Sequence, residues 1–181
     1  MNGCAHILIG DGGHARACRD VASGQFERLF HLSDVDDGKS ERLGSFDDIG
    51  RFPDARFHLA IGPSRARTEL AGRLLEAGTR WFSLKSALAV VRTERIGEGV
   101  FVGHQSYVGP NAALGHLTIV NTAAIVEHDC VIGDGAFVGP GAVLCGGVRV
   151  GSYAMIGAGV VVVPRMEIEQ GARIPAGVVV R

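Results

Sequence analysis

The sequence predicts two units of different class, an α/β unit with a small parallel sheet followed by a parallel β-helix. Three observations carry this. Short apolar runs alternate with helix-spaced segments up to about residue 82. From Ile96 an apolar residue returns every six positions. Glycine is abundant, 27 residues against 8 Phe, 2 Tyr and 1 Trp, and it is phased with that repeat rather than scattered. The predicted organisation is therefore an α/β unit over 1–82, a connector over 83–95 and a β-helix over 96–181.

In the first unit, AHILIG (5–10) reads as a strand that runs into the glycine loop DGG. His14 to Ser23 has helical spacing, with Ala15, Cys18, Val21 and Ala22 on one face. RLFHL (28–32) and FHLAIG (57–62) are further strands. Pro63 suits a helix N1 position, and Arg65 to Ala77 is a helix ended by Gly78. Strand–helix–strand order with short links gives a parallel sheet. The connector has room for a short helix in SLKSALAVV.

In the second unit the frame marks run Ile96, Val102, Val108, Leu114, Val120, Val126, Ile132, Val138, Leu144, Val150, Ile156, Val162, Ile168, Ile174 and Val180, with no insertion. The next position is often glycine, expected to relieve backbone strain at a turn. The fifth position is small or aliphatic, as at Ala112, Ala124, Cys130 and Ala136. Mark and fifth residue should point inward and stack coil on coil, because such repeats bury a continuous core only when stacked. Three hexads make one coil, so residues 18 apart should lie in register.

Composition excludes several functions. A formal net charge of −1 offers nothing to nucleic acid. No apolar run approaches the roughly 20 residues of a membrane span, and the N-terminus lacks a signal pattern, so a cytoplasmic protein is expected. Cys4, Cys18, Cys130 and Cys145 form no CxxC pair and are expected as free thiols. The phase of Cys130 points it into the core, as a small hydrophobe. His104, His116 and His128 share the third hexad position but fall on three different columns, so no metal site within the chain is expected from them.

His128 stands apart because Glu127 and Asp129 flank it. A carboxylate beside an imidazole fixes its tautomer and stabilises the imidazolium formed on proton uptake. One coil on, at the same corner, is Gly146, inside CGG (145–147). A glycine there leaves backbone N–H groups open to a ligand. In the first unit, Gly10, Gly12 and Ala15 complete a weak G-x-G-x-x-A dinucleotide fingerprint, with Asp34 and Asp36 near the position of a ribose-binding acid.

ILIGDGGHARACRDVA, LAIGPSRAR and NTAAIVEHDCVIGDGAFVGPGAVLCGGVRVG together resemble the sugar O- and N-acyltransferases of the NeuD/PglD type, within the hexapeptide-repeat acyltransferases. The resemblance implies a left-handed parallel β-helix after a Rossmann-like, nucleotide-sugar-binding domain. It implies that His128 is the general base assisted by Asp129, and that Gly146 donates its N–H to the thioester carbonyl. Gly157 and Ala158 would lie near the pantetheine arm of acetyl-CoA, the co-substrate, and no metal takes part. Gly12, Gly13, His14, Asp34 and, in the NT pair, Asn121 would contact the nucleotide sugar. A homotrimer with active sites between subunits is implied. The implied reaction is N-acetylation of a nucleotide-linked amino sugar. O-acetylation of a sugar such as a sialic acid, and a non-catalytic scaffold, are the alternatives. The chain departs from the family pattern at Phe137, where some members carry a second histidine, at Leu84-Lys85 in the connector, and at Pro175-Ala176 near the C-terminus.

Overall fold

The computed structural model describes residues 5–34, 42–63 and 65–181. Cys4 and Asp36 lie outside these residues. The chain divides into two compact units, Met1–Leu84 and Lys85–Arg181.

The first unit is a four-stranded parallel sheet, β1 (His6–Ile9), β2 (Leu29–Leu32), β3 (Arg42–Gly44) and β4 (Arg56–Leu59), in the order β3-β2-β1-β4. Helix α1 (Gly13–Ala22) buries Ala15, Cys18, Val21 and Ala22, the face that the spacing predicts. Helix α2 (Arg65–Glu76) ends at Gly78, whose φ of +66° lets its N–H return to the Leu75 carbonyl. Pro63 lies two residues before α2 rather than at its first position. Strand β3, a 3₁₀ turn over Phe46–Arg51 and the bridge from Trp81 to Phe57 have no counterpart in the sequence reading. Each is too short to set up a period of its own.

The second unit is a parallel β-helix of about five turns. Its two-residue strands stack in three faces. Face one includes Phe101–Val102, Ile119–Val120, Phe137–Val138 and Met155–Ile156. Face two runs from Val90–Val91 through Tyr107–Val108, Ile125–Val126, Val143–Leu144 and Val161–Val162 to Val179–Val180. Face three runs from Ala113–Leu114 to Glu167–Ile168. From Phe101 onward the paired residues are 18 apart, as in Ile125↔Val143 and Val126↔Leu144. The stretch read as a connector contributes strands instead. Leu84–Lys85 and Val90–Val91 begin faces one and two, and no helix forms there. Their register is offset by one residue, Val90 pairing with Tyr107, so the six-residue frame run back from Ile96 falls on Val90 while Val91 takes the place of a mark.

The frame marks and fifth positions fill the core as predicted. Val126, Val138, Leu144, Ala124, Cys130, Ala136 and Ala142 are all fully buried. The role given to the post-mark glycines requires correction. Their φ angles are ordinary, and the left-handed residues fall two positions later. Every fourth hexad position from 99 to 177 has positive φ, glycine in some coils but Gln105, Asn111, Leu117, Ala123, Asp129, Tyr153 and Arg165 in others. The post-mark glycines are needed for close approach between coils. A Cβ on Gly139 would lie 2.7 Å from the Gly157 carbonyl carbon, and backbone cannot move aside. Gly141, with φ +64°, has open space around it. Gly141→Ala should therefore cost only the left-handed penalty of about 1–2 kcal/mol. Gly139→Ala should cost distinctly more, and parallel urea denaturation of the two variants would check the order.

Candidate active site

The three corners of the β-helix carry the polar residues. The corner after face two stacks Pro110, His128, Gly146 and Pro164. The corner after face one stacks His104, Thr122, Pro140 and Ala158, and the third stacks Glu98, His116, Asp134 and Ser152. His104, His116 and His128 thus occupy different corners. His104 Nδ1 lies 2.6 Å from the Ser86 hydroxyl, and His116 Nδ1 accepts the Glu98 N–H at 3.1 Å. Both have local structural partners.

At His128, Nδ1 lies 2.8 Å from Asp129 Oδ2. A carboxylate oxygen accepts, so Nδ1 carries the hydrogen and Nε2 presents its lone pair. Asp129 reaches back because its own φ is +60°, the fourth-position turn. The His128 hydrogen bond, followed by one from the Asn111 side chain, holds the Asp129 carboxyl below the usual carboxylate range. Asn111 is 18 residues before Asp129, hence directly beneath it. It is a neighbour that the single-coil reading of Glu-His-Asp does not reach.

Gly146 lies against the imidazole. A Cβ there would stand 2.5 Å from His128 Nε2, and the Gly147 N–H donates to the His128 carbonyl at 2.9 Å. At three equivalent positions the N–H is taken by a side chain. Glu98 donates to His116 Nδ1, His116 to Asp134 Oδ1 and Thr122 to Asn121 Oδ1. Among the described residues the Gly146 N–H donates to no backbone carbonyl. Beneath His128, Gly109 is held to glycine by the close approach of the coils, since a Cβ on it would lie 2.7 Å from the His128 backbone nitrogen. The His128 side chain is 59 % exposed in the protomer, so the corner is open to a ligand or a neighbouring copy.

Within the β-helix, not every expected residue lies at this corner. Gly157, Ala158 and Asn121 belong to the corner after face one, across face two from His128. Asn121 Oδ1 accepts the Thr122 N–H at 2.8 Å. Gly12, Gly13, His14 and Asp34 belong to the first unit. Gly12 caps α1 and Gly13 opens it, at the carboxyl end of β1. The chain reverses direction across the sheet between β1 and β4, the topological switch point where open α/β sheets bind ligands. Gly10 has φ +118°, and a Cβ would lie 2.9 Å from the Ala60 carbonyl oxygen, so only glycine fits. His14 is held neutral: burial first, then Arg67 and His58, push its pKa down to about 3. Asp34 accepts the Phe46 N–H at 3.1 Å and borders a cavity of ≈ 440 Å³, lined further by Phe46, Ile61, Leu70 and Arg73.

Residues 129–164 match the bacterial transferase hexapeptide family, six repeats. No curated protein sequence matches the chain significantly. Among solved structures, PerB from Caulobacter crescentus, in complex with CoA and GDP-perosamine, is 30 % identical, with 100 % of this chain and 90 % of that one covered at a TM-score of 0.89. The chain belongs to the hexapeptide-repeat sugar acyltransferases of the NeuD/PglD type. The acetyltransferase domain of PglB from Neisseria gonorrhoeae is 25 % identical, with 99 % and 92 % covered and a TM-score of 0.91. WeeI from Acinetobacter baumannii, 22 % identical over 98 % of this chain and 96 % of that one at a TM-score of 0.67, shares the fold.

Cys130 is no candidate nucleophile in this acyltransferase. It is fully buried in the β-helix core, and burial raises its thiol pKa. Among the described residues no helix is long and apolar enough to cross a membrane.

Proposed function

We propose that this acyltransferase moves an acetyl group from acetyl-CoA to the amino group of a nucleotide-linked amino sugar. The observation that carries the proposal is the His128 corner, with an imidazole oriented by Asp129 and its Nε2 beside the Gly146 backbone. In the proposed reaction the acceptor nitrogen attacks the thioester carbonyl while His128 Nε2 takes its proton. Asp129 keeps Nδ1 protonated and stabilises the imidazolium. The Gly146 N–H donates to the oxygen on which charge develops. The C–S bond then breaks, the thiolate leaves, and the proton held by His128 neutralises it. Gly157 and Ala158 flank face two from its other edge, in keeping with a pantetheine arm running along the coils.

In the first unit, Gly12 and Gly13 at the start of α1 suit a diphosphate, because exposed N–H groups at a helix N-terminus favour anions. The cavity beside Asp34 has the size of a small-ligand pocket and an apolar wall for a base. His14, being neutral, would contribute a hydrogen bond rather than a charge.

A homotrimer is part of the proposal. The outward residues of face two, Val90, Tyr107, Ile125, Val143, Val161 and Val179, form a continuous apolar row, with Val90 44 % and Val179 49 % exposed. A contiguous apolar stripe on a soluble protein marks an interface. His128 sits at its edge, which would place the active sites between subunits.

Calorimetric titration with acetyl-CoA, followed by turnover against a panel of acceptors, tests the reading. Binding, with CoA release that requires a nucleotide-linked amino sugar, is expected. Turnover only with a free sugar hydroxyl would replace it with O-acetylation. Absence of acetyl-CoA binding would leave a non-catalytic scaffold.

A further inference from the structure

A second cluster of chemically active side chains lies in the α/β unit; Cys18 and His58 have no part in the acyl transfer, and the third member, His14, is shared with the proposed nucleotide-sugar contacts. Each of His14, Cys18 and His58 offers one ligand atom, and these atoms all lie within 4.8 Å of one another. His14 and Cys18 are one turn apart on α1, so they share a face, and β4 brings His58 to the same point. We infer that His14, Cys18 and His58 form a site for one zinc ion.

Two further features fit. Cys18 and His58 are 0 % and 1 % exposed, so ligands and ion would be shielded from solvent. The His58 Nδ1 lies 3.1 Å from the Phe82 carbonyl oxygen. A carbonyl only accepts, so Nδ1 carries the hydrogen and Nε2 the lone pair. A ligating histidine is oriented in this way when its second ring nitrogen is tied to a carbonyl. Two imidazoles and a thiolate are a borderline-soft donor set, which selects zinc over magnesium or calcium. They fill three positions of a tetrahedron and leave the fourth for water. Binding replaces the Cys18 S–H bond with an S–Zn bond and releases the proton to solvent, with no change of oxidation state. The buried Arg67, whose Nη1 donates to the Leu59 and Ile61 carbonyls at 3.0 Å each, lies beside the cluster and would face the bound thiolate. His14 is only half-buried, which gives the ion an approach from the carboxyl ends of β1 and β4.

The metal readout is independent of turnover, so a failure of the acyl-transfer reading and a failure of the zinc site are distinguishable even though both involve His14. The full-length protein, freed of metal by chelator, should take up one equivalent of Co²⁺ with tetrahedral d–d bands and a thiolate-to-metal charge-transfer band. Cys18→Ser should remove the charge-transfer band, while Cys145→Ser should keep it. Should Cys18→Ser fail to fold, X-ray absorption on the zinc-loaded wild type decides the matter. One sulfur at about 2.3 Å with two imidazole nitrogens is expected. Oxygen and nitrogen scatterers alone, no uptake of metal, or a charge-transfer band that survives Cys18→Ser would overturn the site.

Discussion

Replacing His128 by alanine should lower kcat by about 10²–10⁴-fold, the range that a positioned general base contributes, and leave the fold intact. The side chain is more than half exposed and is hydrogen-bonded to the equally exposed Asp129, so no core contact is lost. Coil-to-coil bonding at this corner runs through the backbone, from the Gly147 N–H to the His128 carbonyl and from the Glu127 N–H to the Leu144 carbonyl, and survives the substitution. Circular dichroism and the thermal midpoint should match wild type while turnover collapses. Affinity for acetyl-CoA should barely change, since His128 acts on the acceptor's proton. A His128→Ala variant that folds and turns over at the wild-type rate would remove the histidine from the mechanism.

Gly146→Ala is expected to be nearly as damaging, for a different reason. Its Cβ would stand 2.5 Å from His128 Nε2 and 2.6 Å from Cε1, so the ring must swing away. That motion breaks the 2.8 Å bond to Asp129 and shields the Gly146 N–H at once. A loss of one oxyanion donor costs about 10²–10³ in kcat, and displacement of the base adds to it. Unlike His128→Ala, this variant should also weaken acetyl-CoA binding, because the donor meets the thioester itself. The backbone φ at 146 is ordinary, so stability should fall little. Intact CoA affinity together with intact turnover in Gly146→Ala would separate this glycine from the reacting carbonyl.

The β-helix was legible because its physics is periodic. One apolar mark in six and a small fifth residue are demanded by a narrow stacked core, and both are written in the sequence. The spacing of 18 likewise places Gly146 beside His128 from the sequence alone. Two things escaped. Leu84–Lys85 and Val90–Val91 join the stack one residue out of phase, so the frame run back from Ile96 points to Val90 where Val91 takes the place of a mark. The left-handed position is occupied as readily by Gln105 or Tyr153 as by glycine, so residue type does not reveal it; the post-mark glycines report the close approach of the next coil instead. In the α/β unit the helix faces followed from spacing, whereas β3 and the Trp81 bridge are formed by tertiary pairing alone. The cluster of Cys18 with His58 joins residues 40 apart that carry no motif, and only the fold brings them together.

The stacking register separates length from chemistry. His128 meets Gly146 because exactly one coil lies between them, and nothing in that pairing depends on how many coils come before Asn111 or after Arg165. A duplication of 18 residues at either end would lengthen the rod and preserve the corner. A single residue gained or lost between 128 and 146 would rotate the later coils by part of a turn and part the base from its neighbour. Descent of such a chain can therefore experiment freely with size in whole-coil steps, while the interval that holds the reaction is closed to insertion.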